Sequence, residues 1–410
     1  MNPLQNKTIV LGVTGSIAAY KAADLASKLT QAGAQVEVIL TQAATEFVTP
    51  LTFQSVTGKR AYTETDLWGT EAHVLHIGLA RKADILVIAP VSANTIAKLA
   101  HGIADNLLTV TALALHRFER QAPLLLAPAM DAGMFSHPAT QENLCILEQR
   151  ECHFIGPEEG HLASGLVAKG RMSEPPAILG QIRYLLSRGG PLAGKRIVVT
   201  AGGTQEPIDP VRFITNRSSG KQGYALAQAA LDAGAEVTLI SGMTSLSPPT
   251  GAQVMTTRSA SEMEQAVLKV CPTSDFLLMA AAVADFRPAK PSEQKIKKGS
   301  EIPTLELIRN PDILATVKEQ RNQTGKPEMV LGFAAETEDL LTNAQNKLQA
   351  KGLDLIVAND ISAEGAGFEV DTNRVTLLWA NGEHEEFPLS SKEKVAEKLI
   401  KRLINWKAGH

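Results

Sequence analysis

The sequence is short of most features that would place it elsewhere. Its three cysteines in 410 residues, Cys145, Cys152 and Cys271, have neither the density of a disulfide framework nor metal-ligand spacing. Buried, reduced thiols are the expectation. Neither sign of charge dominates, since 40 Lys and Arg face 43 Asp and Glu, and no basic run is dense enough for a nucleic-acid footprint. No stretch approaches the roughly 18 apolar residues that span a bilayer. Lys7 precedes only a short apolar strand ended by glycines, so no secretory leader is expected and the chain reads as cytoplasmic. Aromatics make up only 4%, in keeping with aliphatic strands buried under helices. Two phosphate motifs are also missing: there is no G-x-x-x-x-G-K-[ST] and no clean G-x-G-x-x-G, which argues against an NAD-dependent dehydrogenase.

What is present is an α/β opening, used twice. Gly194 to Gly223 reads GKRIVVTAGGTQEPIDPVRFITNRSSGKQG. Arg196 to Thr200 is long enough for one buried strand. Ala201-Gly202-Gly203-Thr204 then lets the backbone pass close to a ligand. Pro207 and Pro210 fix a loop, and Ser218-Ser219-Gly220-Lys221 opens a helix running to about Ala233. Strand, glycine turn and helix N-terminus together present amide donors to phosphate. Thr8 to Ser16 (TIVLGVTGS) makes the same move earlier, and Ser187-Arg188-Gly189-Gly190-Pro191 reads as a short linker. The expected fold class is therefore α/β, with two Rossmann-like three-layer domains over residues 1–188 and 189–410.

In the first half, strand Thr8–Val13 leads through Gly15-Ser16 into a helix with Ala18, Ala22, Leu25, Ala26 and Leu29 on one face. Strand Val36–Leu40 ends at Thr41, where open α/β sheets bind ligands. Asp84–Pro90 is a second apolar strand, and Ser92-Ala93-Asn94-Thr95 caps the next helix. Those small polar groups suit either ordinary capping or a cofactor's phosphate or ring edge. His76 is placed before a helix; a lone histidine is more often a structural hydrogen-bonder than a base.

In the second half, strands Glu236–Ile240 and Asp275–Met279 bracket a helix over Ser259–Val270. Ala280 to Phe286 (AAAVADF) would let a planar base or a ribose lie against the backbone. Lys290–Lys298 is a lysine-rich loop, either a solvated flap or a lid over phosphates. Asn310-Pro311-Asp312-Ile313 starts a helix with Pro311 near its first turn. Lys347 and Lys351 share a helix face.

These residues carry a resemblance. GVTGSIAAYK, HIGLARKADILVIAPVSANT, GIADNLLT and APAM, in order over residues 5 to about 185, resemble the flavoprotein family of cysteine decarboxylases. VRFITNRSSGKQG, AAAVADFRP, QKIKKG, RNPDIL, GFAAET and LDLIVAND, over about 190–405, resemble the phosphopantothenate–cysteine ligases. Together they are similar to the bifunctional enzymes of coenzyme A biosynthesis.

The resemblance implies FMN held by Gly15, Ser16, Thr41, Ser92, Asn94, Thr95 and Ala129, with His76 as the active-site histidine. In the ligase half it implies CTP with Mg2+. Asn216 would act at the acyl-phosphate and Lys295 at the phosphates, with Ala281, Asp285, Pro311, Asp312, Ile313, Leu314, Phe333, Lys347 and Lys351 lining the CTP site. The metal ligands are not legible. It implies small-molecule partners (4′-phosphopantothenate, cysteine and CTP) and a homo-oligomer.

Two positions depart from the pattern. Asp131 stands where the family carries an Asn that grips the substrate carboxylate. A second carboxylate about 4 Å away would cost on the order of 4 kcal/mol, so Asp131 must be protonated, neutralised or turned elsewhere. Ser164 stands where the family has a proton-donating Cys, and His161, Lys169 or Arg171 are the candidates to compensate. The alternative reading is therefore an active ligase whose flavin half stalls at the enethiol or serves as a flavin-binding scaffold.

Overall fold

The computed structural model describes residues 2–68, 74–115, 122–298, 304–336, 340–360 and 370–408. Gly299 of QKIKKG and Thr337 of GFAAET lie outside the described residues. By their contacts the residues fall into two units, Asn2–Leu186 and Ser187–His410. Gly190 belongs to the second, where its amide bonds to the Ser187 carbonyl and a Cβ would lie 2.4 Å from the Ala233 carbonyl oxygen.

In the first unit, β1 (Thr8–Val13), β2 (Gln35–Leu40), β3 (Ala61–Tyr62), β4 (Ile85–Val91), β5 (Leu124–Pro128) and β6 (His153–Phe154) form one sheet. Its order is β3-β2-β1-β4-β5-β6, with every pairing parallel. Parallel strands are buried on both faces, which is why the runs ILVIAPV and TIVLGV are apolar rather than alternating. One core gathers Ile9, Leu11, Ile85 and Val87 under the helix Ala19–Gln31. The other gathers Val10, Leu86 and Ile88 under Ala93–His101 and Leu107–Leu113. Odd and even residues of a strand point to opposite faces, so two cores make three layers. The strand order reverses between β1 and β4. A small hairpin, β7 (Glu158–His161) with β8 (Val167–Arg171), follows the sheet.

The second unit repeats the plan. β9 (Arg196–Ala201) leads into a short hairpin of β10 (Gln205–Pro207) and β11 (Phe213–Thr215). The main sheet adds β12 (Glu236–Ser241), β13 (Gln253–Thr256) and β14 (Phe276–Met279). A second small hairpin pairs β15 (Phe286–Pro288) with β16 (Leu307–Arg309). The main sheet is completed by β17 (Met329–Glu336), β18 (Leu355–Asp360), β19 (Thr372–Trp379) and β20 (His384–Ser391). Its order is β13-β12-β9-β14-β17-β18-β19-β20, and only the last two pairings are antiparallel. One face packs Val198, Leu277, Val330 and Ile356 against the helices Ala260–Val270, Ile313–Thr324 and Leu340–Lys351. On the other face Trp406, from the closing helix Lys392–Ala408, meets the Phe276 ring edge-on with centroids 6.1 Å apart.

Two local expectations are corrected. His76 lies inside the first turn of the helix Leu75–Lys82, because the apolar run of β4 begins only at Ile85 and leaves room for two helical turns before it. Pro311 precedes its helix: Asp312 is the cap, its carboxylate accepting from the Ala315 amide at 3.2 Å. Among the described residues no helix is long and apolar enough to cross a membrane.

At the amino ends of β9 and β14, Asp275 accepts from the Arg196 amide at 2.9 Å, from Lys195 at 3.2 Å and from Lys326 at 2.8 Å. Burial pushes the carboxyl up, but Lys326, the amide and Lys195 outweigh it and hold the pKa at about 2, below its ordinary 3.8. The folded value is depressed, so the stabilisation is present above the unfolded pKa and lost as pH falls through the folded one. Urea unfolding of this unit should lose about 2 kcal/mol more between pH 4 and pH 2 than Asp275→Asn does. Parallel acid profiles for the two proteins would show that Asp275 does not hold the strand ends.

Candidate functional site

Each unit has a cavity beyond the carboxyl ends of its parallel strands, where the sheet order reverses. Ligands of open α/β sheets bind at that point because diverging loops leave a crevice there. In the first unit the cavity encloses about 590 Å³, within the range of small-molecule sites. Gly15, Ser16 and Ala18 line it from the turn after β1, Ser92 and Ala93 from the turn after β4, and Ala129, Met130 and Asp131 from the turn after β5. His161, Ser164 and Arg171 line it from the small hairpin.

Local chemistry sets these turns. Gly15 is required by packing, since a Cβ there would sit 2.6 Å from that of Ala43. Ser92 caps the helix Ala93–His101 and accepts from the Thr95 amide at 3.4 Å. The helix Ala19–Gln31 receives no side-chain cap, and an uncapped N-terminus facing a cavity is a ready anion site. Thr14, which sequence reasoning passed over, ties the two turns together. Its hydroxyl donates to the Pro90 carbonyl at 2.9 Å and accepts from the Ser92 amide at 2.9 Å. The only signal for it was a buried hydroxyl at a strand end.

Of the residues implied for FMN, Gly15, Ser16, Ser92 and Ala129 meet at this cavity. Thr41, Asn94 and Thr95 do not line it. Thr41 caps the short helix Gln42–Thr45, accepting from the Ala44 amide at 3.3 Å, and Thr95 lies behind Ser92, their hydroxyls 3.3 Å apart. His76 lies outside the lining of its own chain's cavity.

The two unusual positions engage each other. The Ser164 hydroxyl donates to Asp131 Oδ2 at 2.6 Å, and the Gly133 amide donates to Oδ1 at 2.9 Å. The Ser164 bond, then the Gly133 bond, hold the carboxyl below its usual range, so Asp131 is ionised rather than protonated. Lys169, considered as a proton source, lies over the Phe135 ring at 5.3 Å and does not line the cavity. Arg171 does line it and is paired with Glu174 at 2.5 Å. Lys21, also missed from the sequence, is buried against the cavity and donates to Glu174 at 2.8 Å.

In the second unit the cavity is smaller, about 260 Å³. Ser218 to Gly223 bring the N-terminus of the helix Lys221–Asp232 to it. Gly220 takes φ +80°, and a Cβ on Gly223 would lie 2.5 Å from that of Ala201, so the helix starts hard against β9. Of the residues implied for CTP, Ala281, Asp285, Phe333 and Lys347 line the cavity. Asn216 stands beside it, its amide donating to the Ala282 carbonyl at 3.1 Å. Pro311, Asp312, Ile313, Leu314 and Lys351 do not line it. Ile313 and Leu314 pack into the core, and Lys351 is ion-paired to Asp312.

Lys295 is exposed on its loop and outside the lining. That loop is anchored: buried Asp209 accepts from the Ile296 amide at 3.2 Å, and the Ser292 amide donates to the Ile208 carbonyl at 2.9 Å. Lys221, Gln222, Asn359, Asn373 and Lys392 also line the cavity. Asn373 and Lys392 had no sequence signal beyond belonging to a strand and a helix start. Among the described residues no three His, Cys, Asp or Glu side chains converge as a metal site.

The comparisons with known proteins follow this division. The Flavoprotein family model matches residues 2–187, and that of the DNA/pantothenate metabolism flavoprotein C-terminal domain matches 192–406. The coenzyme A biosynthesis bifunctional protein CoaBC of Bacillus subtilis strain 168 is 47% identical over 403 residues, covering 98% of this chain and 97% of its own. That of Vibrio vulnificus strain CMCP6 is 44% identical over 405 residues, covering 98% of each chain. Among solved structures, the C-terminal domain of a CoaBC protein is 39% identical, with a TM-score of 0.46, over 54% of this chain and 100% of that one. Nearly every residue is thus matched end to end by relatives of one kind, and the chain belongs to the family of bifunctional coenzyme A biosynthesis proteins, CoaBC.

Proposed function

We propose that the second unit joins cysteine to 4′-phosphopantothenate using CTP and Mg2+, and that the first decarboxylates the resulting 4′-phosphopantothenoylcysteine to 4′-phosphopantetheine using FMN. The observation that carries this reading is the pair of cavities at the two sheet reversals, each lined by residues of the motifs that bear the resemblance. The substrates are small soluble molecules, so the chain works in the cytoplasm. It is a homo-oligomer, the state in which His76 is to be tested.

In the first unit the lining fits a flavin nucleotide. Gly15, Ser16 and the Ser92 turn bring two helix N-termini to one cavity, and Ala18, Ala93 and Ala129 keep its walls flat. When bound there, FMN supplies the two-electron oxidation that gives the electrons left by departing CO2 somewhere to go. The protein's part is to hold the substrate and move protons. Ser164 donates to the ionised Asp131 on the hairpin side, which offsets part of that charge at the cavity wall but uses the hydroxyl on the flap. A thiol with pKa near 8.5 is a much better acid than that hydroxyl, so the closing protonation is the slow step. Ser164 also favours the second reading, a flavin half that stops at the enethiol.

In the second unit, the phosphopantothenate carboxylate attacks the α-phosphorus, pyrophosphate leaves, and the cysteine amine displaces CMP. Asn216 offers the side-chain N–H that the Ala282 carbonyl does not take, and Lys295 brings a compact charge from the loop anchored by Asp209. Mg2+ would arrive on the triphosphate, with Asp285 the carboxylate lining the cavity.

The purified protein should carry FMN, seen in its visible absorption. Asp131→Asn should lower KM for 4′-phosphopantothenoylcysteine about tenfold, a fraction of the like-charge cost at 4 Å, while Ser164→Cys should accelerate the final step. An unchanged KM would mean that Asp131 never faces the substrate. For the ligase, Lys295→Ala should cut kcat about 10²-fold with little change in KM for CTP. Parent-level turnover by that variant would make the loop a solvated surface.

A further inference from the structure

The small hairpin of the first unit is fastened at its base and nearly free at its tip. At the base, the Met130 amide donates to the Gly170 carbonyl at 3.1 Å. A Cβ on Gly170 would lie 2.3 Å from the Met130 carbonyl oxygen, so the two backbones touch. Lys169 lies over the Phe135 ring in the same region. At the tip, residues 162–166, the backbone bonds to itself. The Leu162 amide donates to the Leu166 carbonyl at 2.8 Å, and the Gly165 amide to the Leu162 carbonyl at 2.9 Å. Residues 163–166 are all exposed. Among the described residues, the Ser164 bond to Asp131 at 2.6 Å is the one hydrogen bond from this tip to the body of the unit.

That bond is of a strong kind. A hydroxyl donating to an ionised carboxylate typically sits about 2.5–2.7 Å from it and binds roughly twice as firmly as a neutral pair. Asp131 is ionised, and the Gly133 amide already holds Oδ1, which leaves Oδ2 for the tip. Neither departure from the family pattern makes this bond alone. An Asn in place of Asp131 offers a neutral acceptor, and a Cys in place of Ser164 a weak S–H donor. The two departures therefore form one unit.

Leu162, Ala163 and Ser164 line the cavity, so the tip is part of its wall. We infer that Asp131 and Ser164 are a latch, whose bond holds the hairpin tip over the first cavity and limits the entry and release of FMN. Both partners belong to the chain, so the latch closes without help from a ligand. The control of FMN exchange rests on the flavin reading above; the latch itself rests on the hairpin alone.

The test follows two rates in the full chain. One is chymotryptic cleavage after Leu162 and Leu166, read from fragment masses. The other is FMN release into an excess of an apoflavoprotein trap. Cleavage at such a tip follows the population of its open form. Ser164→Ala and Asp131→Ala should each speed both processes about tenfold, the effect of losing one hydrogen bond to a charged group. The double variant should be no faster than either single one, because the two side chains act through one bond. Ser164→Thr keeps the hydroxyl and should stay within about threefold of the parent. Parent-rate cleavage in both alanine variants would overturn the inference. So would additive effects in the double variant, or a freed tip with FMN release unchanged. A chain that takes up no FMN would sink the flavin reading, and the cleavage rates would still decide whether the latch exists.

Discussion

Parallel pairing is the constraint on which the rest depends. Hydrogen bonding of β1 to β4, and of β9 to β14, requires crossovers that send the carboxyl ends of the parallel strands to the same edge. At the reversal of strand order the following turns must diverge, and a crevice opens whatever their sequence. What the sequence controls is what faces that crevice. Both units place small residues and helix N-termini there, and the packing demands on Gly15 and Gly223 show how closely helix and strand must approach first.

Charge is handled differently in the two crevices. In the first, the ionised Asp131 is met by a hydroxyl and an amide instead of a cation, while Lys21 and Arg171 share Glu174 nearby. In the second, Lys221, Lys347 and Lys392 line a space with Asp285 as the carboxylate, a balance suited to an anionic ligand. A buried lysine among lysines is costly without such a ligand or local pairing, and Asp371 supplies part of that pairing through Lys221 at 2.5 Å.

The sheets were legible because a strand buried on both faces leaves a short apolar run bounded by turn residues, as in Ile85–Val91. The turns were legible as glycine and hydroxyl clusters after those runs. Side-chain commitments were not. Thr41 and Ser92 look alike in sequence and each caps the helix that follows it, yet only Ser92 also lines the cavity. Lys347 and Lys351 look alike too, but one lines a cavity and the other holds the cap of a neighbouring helix. Lys392 and Asn373 reach their site only through antiparallel strands added at the far edge of the sheet, a pairing no local pattern announces.

The central claim is that one chain performs two consecutive reactions. It is tested most directly by giving the purified full chain 4′-phosphopantothenate, cysteine, CTP and Mg2+, and weighing what leaves. The account predicts 4′-phosphopantetheine as the end product, with 4′-phosphopantothenoylcysteine passing through. Accumulation of 4′-phosphopantothenoylcysteine with no loss of CO2 would contradict it.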